Sequence, residues 1–292
     1  MSHELYEQER GRRMMKSMKA KKRAASIVQT FILVLLAIFV LLPIYIAFSN
    51  AFKNGDIILS QPLSLPVPPT MQNIKAVLAS PNTNLGQMYV NSIILMVAGT
   101  MITIVVSSMA AYYLARKKTK WAKGLRLYFM LGIMVPYVIV YLPLVILLRN
   151  MGIPLGVPVL IFVFVSGNIS FASFMYTNYF ISLPIELEEA AAIDGASRMQ
   201  IFWKILFPLV RPCTATIAIF VGLGIWNDFQ TPLLMGQVKT ITVGIYTAVG
   251  PHSANWGIVF AYVLFAAVPV IIVYLLFQKS FVEGLTAGAV KG

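Results

Sequence analysis

The chain has 292 residues, of which 59% are hydrophobic and only 11% carry a charge. Globular domains typically have about 25% charged residues, so this composition excludes an ordinary soluble protein. A chain this apolar cannot cover its exterior with polar groups, so lipid must surround most of its length. The single cysteine, Cys213, excludes an intrachain disulfide and a thiolate metal cluster.

Six segments are long and apolar enough to cross about 30 Å of hydrocarbon as α-helices. Only the fifth contains a charged residue, Asp228. None has the strict alternation of a membrane β-strand, so the pattern predicts an all-α membrane protein with six transmembrane helices. The six segments are residues 27–48, 87–115, 127–148, 157–180, 212–235 and 256–277.

The net charge of +13 is spread unevenly over the loops. Nineteen of the 23 Lys and Arg residues lie in the N-terminal segment, the second-to-third loop, the fourth-to-fifth loop and the C-terminal tail. Because cytoplasmic loops are rich in Lys and Arg, both termini are expected in the cytoplasm. The charge is thus explained by topology, and no nucleic-acid partner is expected.

Composition divides the chain into four parts. The outer loop, over 50–86, contains a proline-rich stretch with Pro62, Pro66, Pro68 and Pro69, which predict an extended conformation. A second outer segment has a β-branched stretch at 238–243 and is expected to form a small projection. The parts are a basic cytoplasmic segment (1–25), a first transmembrane helix with its outer loop (26–86), a core of five transmembrane helices (87–281) and a cytoplasmic tail (282–292).

The cytoplasmic loop at 181–211 is not a simple linker. Pro184 suits the first turn of a helix, where its missing N–H is harmless. Alanines at 190–192 are strong helix formers with little bulk. The helix starts with three acidic residues, whose negative charge complements the positive end of the helix dipole: Glu186, Glu188 and Glu189.

A turn and a second helix follow in the same loop. Asp194-Gly195 predicts a turn in which glycine adopts a left-handed conformation or lets another backbone approach. The second helix, over 196–207, is expected to end at Pro208. Its apolar stripe consists of Ile201, Phe202, Ile205 and Leu206. Periodicity alone is equally consistent with a hairpin packed under the membrane domain and with a docking surface for another protein.

The spacing of Glu189-Ala-Ala, Gly195, Ile205 and Pro208 resembles the EAA loop of ATP-binding-cassette (ABC) importer permeases. That pattern is Glu-Ala-Ala, three residues, Gly, nine residues, Ile-x-Leu-Pro, and here Phe207 stands in place of the leucine. The stretch that starts at Trp226-Asn-Asp-Phe-Gln and the final 16 residues are similar to maltose-type permeases of the carbohydrate branch. The resemblance extends from about residue 87 to the end.

The resemblance implies a type I ABC importer permease fold in a bacterial cytoplasmic (inner) membrane. It further implies a second homologous permease subunit, two ATPase subunits and an extracytoplasmic sugar-binding protein as partners, besides membrane lipid. The EAA loop would form cytoplasmic coupling helices, with Glu189 paired to a basic residue of the ATPase. The coupling residues would be Glu189, Ala190, Ala191, Asp194, Gly195 and Pro208.

The chain contains no Gly-x-x-x-x-Gly-Lys-[Ser/Thr] loop, the segment that cradles nucleotide phosphates. ATP and Mg²⁺ are therefore expected on the partner ATPase subunits, with no cofactor in this chain and no enzymatic activity of its own. By the same resemblance, residues 286–292 would lie along the ATPase dimer.

Polar residues within two spans are candidates for the translocation path. A sugar site needs hydrogen-bonding side chains and aromatic faces. The charged side chain of Asp228 is energetically unfavourable in lipid, so it should face a partner group or a water-filled cavity. Interhelical hydrogen bonding and a helix break before Pro232 are the alternative explanation, and in some family members only the partner permease contacts the sugar. The candidates are Asn168, Trp226, Asn227, Asp228 and Gln230.

Two other functions have weaker support. A self-contained ion-coupled secondary transporter would need intramembrane acids, and Asp228 stands alone. An intramembrane enzyme would need a nucleophile with its base, or a metal motif, and neither spacing occurs. Near the span ends, Tyr112, Trp121 and Tyr128 are expected to be membrane-interface anchors. Pro136, Pro143, Pro154 and Pro158 are expected to bend the third and fourth spans.

Overall fold

The computed structural model describes residues 2–80, 84–236, 238–250 and 254–289. Every regular element in this part of the chain is a helix, in agreement with the predicted all-α class. Four helices are long and apolar enough to cross a membrane, and the number rises to six if each of two sharply bent helix pairs counts as one span.

Helix α1 (Ser2–Ala51) joins the expected basic segment and the first span into one continuous helix. Its apolar part, Ala25–Ala51, has a mean hydropathy of 3.0. Side chains from Ile27 to Leu42 are exposed rather than packed on the rest of the chain. This stretch must therefore be covered by lipid or by another subunit.

The outer loop is only partly extended, which corrects the prediction for residues 50–86. Helices α2 (Gly55–Ser60) and α3 (Gln72–Leu78) form at either end of the proline-rich stretch. Asn73 of α3 donates hydrogen bonds to the carbonyls of Ala51 and Lys53, which fasten the loop to the end of α1.

The centre of the fold is the packing of α4 (Leu85–Arg116) against α7 (Val157–Ser182). Both correspond to predicted spans. Small residues on α4 are buried at this contact, among them Ser107 and Ala111, and they let the helices approach closely. Asn84 caps α4 by accepting a hydrogen bond from the Gln87 amide.

The third predicted span is two helices rather than one. Helix α5 (Lys120–Met134) and helix α6 (Tyr137–Asn150) meet at 98°. The break falls at Val135-Pro136, where Val135 is extended, because a residue before proline avoids the helical region. The predicted bend at Pro136 is confirmed, and the expectation of one helix over 127–148 is wrong.

The EAA loop contains α8 (Glu186–Ile193) and a second helical stretch, Arg198–Leu209. The second stretch consists of α9 (Arg198–Gln200), a π-helical turn (Ile201–Leu206) and α10 (Phe207–Leu209). The stretch continues to Leu209, one residue beyond the predicted end at Pro208. Pro208 is tolerated because it lies in the first turn of α10, where its missing N–H is harmless.

The fifth predicted span also differs from the structure. Helix α11 (Arg211–Asn227) meets the stretch Arg198–Leu209 at 75° and stops before Asp228. A separate π-helical turn, Pro232–Gly236, follows. The break agrees with the alternative stated above, in which the helix is interrupted before Pro232, so residues 212–235 are not one helix.

The remaining elements are α12 (Ile241–Val249) and α13 (Trp256–Ala289). Helix α12 begins inside the β-branched stretch 238–243, so this outer segment is helical. Helix α13 continues beyond the predicted end of the sixth span into the tail. Residues 251–253 of the outer segment and 290–292 of the tail lie outside the described residues.

Candidate functional site

The turn of the EAA loop has the backbone geometry that its sequence predicts. Gly195 has a φ of +83°, in the left-handed region. Its amide donates to the carbonyl of Ala192 at 3.1 Å, and the Ala196 amide donates to the carbonyl of Ala191 at 3.0 Å. These two bonds form a Schellman motif, which ends α8 after about two helical turns.

The second helical stretch presents its apolar stripe to the core. Ile201, Phe202 and Leu206 are buried, as the periodicity predicts, and Ile205 packs beside them. Ser197 and Gln200 form a capping box at its start. The hairpin is therefore anchored to the membrane helices through this stretch, which leaves α8 at the surface.

Four of the six candidate coupling residues are exposed: Glu189, Ala190, Asp194 and Gly195. Ala191 is buried at 8% exposure and Pro208 is half-buried. An ideal Cβ on Gly195 would meet no atom of this chain within 4 Å. The hairpin thus presents Glu189, Ala190 and Gly195 to the exterior.

Large apolar side chains surround these exposed residues. Ile193 is 87% exposed, and Ile185 and Leu187 are also exposed. Exposed apolar side chains grouped with a carboxylate are typical of a surface that another protein covers. We call the exposed side of α8 and its turn, residues 185–195, the coupling surface, after the role that the resemblance implies for it.

Glu188 has a different role from its neighbour Glu189. Its carboxylate accepts hydrogen bonds from Nε of Arg116 at 2.5 Å and from the Tyr112 hydroxyl at 2.8 Å. Arg116 also donates to the carbonyl of Phe180 at 2.8 Å and to the carbonyl of Leu183. We call Arg116, Tyr112 and Glu188 the clasp.

The clasp was not found from the sequence, because Arg116 and Glu188 are 72 residues apart. Tyr112, which was expected to be a membrane-interface anchor, is half-buried. Its ring packs against the core, with its centroid 5.8 Å from that of Phe180 and 5.6 Å from that of Phe202. Trp121 and Tyr128, which carried the same expectation, are 83% and 68% exposed.

A cavity of about 500 Å³ lies between α5, α6, α7 and α11. Among the candidate path residues, Asn168 and Asp228 line it. The other polar or aromatic groups on its walls are Tyr128, Tyr137, Tyr141, Phe164, Ser166, Ser170, Phe171 and Thr231. The sequence did not identify Tyr137, Tyr141 or Thr231 as candidates for the path.

Asp228 is held by three hydrogen bonds on the cavity wall. Its Oδ2 accepts from the Tyr141 hydroxyl at 3.2 Å and lies 2.5 Å from the Thr231 hydroxyl. Its Oδ1 accepts from the Thr231 amide at 3.0 Å. The carboxylate therefore has both surroundings expected of it, partner groups and a cavity. On α7, the Asn168 amide donates to the carbonyl of Phe164.

The other three path candidates do not line this cavity. Trp226 is only 4% exposed, and its indole N–H donates to the carbonyl of Ala266 on α13. Asn227 is exposed and Gln230 is half-buried. Trp226 therefore packs α11 against α13, while Asn168 and Asp228 share one cavity. Among the described residues, no three His, Cys, Asp or Glu side chains come together as metal ligands would.

Comparisons with known proteins agree with this architecture. A family model described as "Binding-protein-dependent transport system inner membrane component" matches residues 103–282. The "Probable starch degradation products transport system permease protein AmyC" of Thermoanaerobacterium thermosulfurigenes is 33% identical over 271 residues, covering 90% of this chain and 96% of that protein. The "Melibiose/raffinose/stachyose import permease protein MelC" of Bacillus subtilis is 31% identical over 280 residues, covering 94% and 100%.

Among solved structures, a bacterial ABC transporter "involved in the import of the acidic polysaccharide alginate" has a similar chain. The TM-score is 0.74 at 25% identity, and the match covers 88% of this chain and 96% of that chain. The fold is thus that of a multi-span subunit of an ABC importer. The chain belongs to the family of binding-protein-dependent transport system inner membrane components, in the carbohydrate branch of ABC importer permeases. Members of this family are transport subunits and not enzymes themselves.

Proposed function

We propose that this chain is the permease subunit of an ATP-driven importer that moves a sugar or oligosaccharide across the cytoplasmic (inner) membrane of a bacterium. With a second, homologous permease it forms the translocation path, and both of its termini lie in the cytoplasm. Two ATPase subunits supply the energy, with ATP and Mg²⁺ bound to them. An extracytoplasmic binding protein delivers the sugar.

The coupling surface is the observation that carries this proposal. A short helix that is anchored through its neighbour and exposed on its far side is suited to seating in a cleft of another protein. Glu189 supplies a charge for a basic partner, and the bare backbone at Gly195 allows close approach. Rigid-body movement of that partner would move the helices on either side of the loop, α7 and α11.

The cavity supports the second part of the proposal, a path for sugar. Asp228 and Asn168 offer polar groups, and Tyr137 and Tyr141 offer aromatic faces that suit the C–H surfaces of a sugar ring. A charged group is tolerated inside a membrane protein where it lines a water-filled passage. The substrate class follows the relatives, whose names refer to starch degradation products and to raffinose-type sugars.

The coupling surface is tested by Glu189→Ala and Gly195→Asp in the complex purified from membranes. Both variants should insert normally but retain less ATPase subunit and lose uptake of radiolabelled maltotriose or raffinose in proteoliposomes. Asp56→Ala, which removes an exposed carboxylate from α2 in the outer loop, is the matched control and should behave as the intact protein. Full transport by the Gly195→Asp complex would refute the assignment.

An ion-coupled secondary transporter is the competing function. Uptake into right-side-out vesicles separates the two, because an ATP-driven importer continues after an uncoupler collapses the ion gradients and stops when ATP is depleted. The reverse pattern would show that the chain transports without the ATPase.

A further inference from the structure

The clasp lies where the helical structure is interrupted between α7 and α8. Between α7 and α8 the chain runs through a short non-helical linker at 183–185, which contains Pro184. The last four carbonyls of an α-helix have no backbone amide partner within that helix. Arg116 donates to two carbonyls there, those of Phe180 and Leu183, and to Glu188 beyond the linker. One guanidinium therefore ties together the end of α4, the end of α7 and the first turn of α8.

The tie is protected from solvent. The side chains of Arg116 and Glu188 are 17% and 13% exposed. Removing one member of this partly buried ion pair leaves the other charge without its partner, so substitution of either residue should break the contact. Tyr112 adds a neutral donor from the preceding turn of α4.

The opposite end of α4 is tied in a comparable way. The Ser92 hydroxyl accepts a hydrogen bond from the Ile241 amide at 3.1 Å, and the Asn91 amide donates to the carbonyl of Lys239 at 2.9 Å. Both bonds hold the segment that leads into α12. The Thr242 hydroxyl then donates to the backbone carbonyl of Asp228, at the cavity.

Helix α4 is continuous between these two ties. From Ser92 to Arg116 it rises about 36 Å at 1.5 Å per residue, and it contains no proline. A helix of this kind moves as a rigid unit when its ends are held. The route through α7 and α11 alone would pass through the linker at 183–185 and the break at Asp228, both of which can flex.

We propose that Arg116 is the positioning residue that fastens α8 to α4, and that α4 carries movement of the coupling surface to α12 at its other end. The inference rests on the proposed function, since it requires an ATPase that moves the coupling surface. Coupling between two sites is reciprocal, so contact of a protein with α12 would act back on the ATPase by the same route.

The test measures movement at α12 without any need for the transported sugar. Val249→Cys introduces a thiol on α12 at a position that is 41% exposed, while the native Cys213 is fully buried. The complete complex is reconstituted in liposomes, and labelling by a membrane-impermeant maleimide is timed with and without ATP, Mg²⁺ and vanadate. In the Val249→Cys protein the two rates should differ by about fivefold or more, the lower end of typical coupling between sites.

Adding Arg116→Gln should bring the ratio of the two rates close to one, while the ATPase subunits still co-purify. Lys118→Gln, which removes an exposed charge two residues away, is the matched control and should keep the ratio. If the Arg116→Gln complex does not assemble, Glu188→Gln provides the same comparison, because it leaves the bonds from Arg116 to α7 in place.

Three outcomes would overturn the proposal. They are an unchanged ratio in both clasp variants, an equal loss of the ratio in Lys118→Gln, and no dependence on nucleotide in the otherwise intact complex. Failure of the proposed function is recognised separately, because the ATPase subunits would then be missing from the purified complex even with the clasp intact.

Discussion

The Tyr141 hydroxyl donates a hydrogen bond to Oδ2 of Asp228 at 3.2 Å, which joins α6 to the end of α11 on the cavity wall. The Thr231 hydroxyl lies 2.6 Å from the Tyr141 hydroxyl and completes a triangle of polar atoms. Asp228 also caps the turn that follows it, through the Thr231 amide. Asp228 therefore ends α11 through its backbone amide, while its carboxylate caps the following turn and binds α6.

Tyr141→Phe should lower the stability of the purified complex by about 1–2 kcal/mol, because it removes a donor from a carboxylate inside the membrane domain. Thermal unfolding in detergent measures the change. The matched control is Tyr137→Phe on the same helix, whose ring lies 5.4 Å away and is 55% exposed. Equal losses in the two variants would show that the bond to Asp228 contributes nothing specific.

Gly132→Ala should separate α5 from α7. An ideal Cβ at Gly132 would come within 2.3 Å of Oγ and 3.2 Å of Cβ of Ser170, so the hydroxyl must rotate away and the two helices are pressed apart. Overpacking of this kind costs about 1–3 kcal/mol. The measurement is again thermal unfolding of the complex.

Two further variants check the cause of that loss. Gly124→Ala, also in α5, meets no atom within 4 Å and should be neutral or slightly stabilising, because alanine favours helix. Adding Ser170→Ala to Gly132→Ala removes the hydroxyl and should restore part of the stability. No recovery in the double variant would mean that contact with Ser170 is not the cause.

The features that could be predicted are those encoded in neighbouring residues. The left-handed conformation of Gly195 follows from Asp-Gly after a helix, and burial of Ile201 and Leu206 follows from helical spacing. The bend at Pro136 follows from the chemistry of proline. Each depends on a window of about one or two helical turns.

The features that could not be predicted join distant parts of the chain. The EAA pattern selects Glu189, which is exposed, but nothing in the sequence near Glu188 indicates that it binds Arg116. Trp226 and Asp228 were grouped because they lie two residues apart, but the break at the end of α11 directs them to different neighbours. Which face of a helix meets which partner is decided by tertiary packing, and local periodicity in a uniformly apolar span does not record it.

Asn73→Ala should loosen the outer loop. The buried Asn73 amide satisfies the carbonyls of Ala51 and Lys53, and the loss of both bonds leaves two acceptors unpaired at a cost of about 1–3 kcal/mol. Trypsin cleavage after the exposed Lys75 should accelerate about tenfold, the factor that corresponds to 1.4 kcal/mol of local opening. Gln72→Ala, at an exposed neighbouring position, should leave the rate unchanged. A rate in Asn73→Ala equal to that control would contradict the role given to these bonds.

Gly195 combines two properties that substitutions can separate, its left-handed backbone and its lack of a side chain. A residue other than glycine in this conformation costs about 1–2 kcal/mol, and asparagine is the least unfavourable choice. Since no atom of this chain lies within 4 Å of a Cβ there, Gly195→Asn should fold and insert with nearly the stability of the intact protein.

If another protein approaches the bare backbone closely, the added side chain must obstruct it. Gly195→Asn should therefore weaken binding of the ATPase subunits about as strongly as Gly195→Ala, while losing less thermal stability than the alanine variant. Binding by titration in detergent and unfolding temperature measure the two effects independently. An asparagine variant that binds the ATPase as tightly as the intact protein would show that only the turn matters at this position.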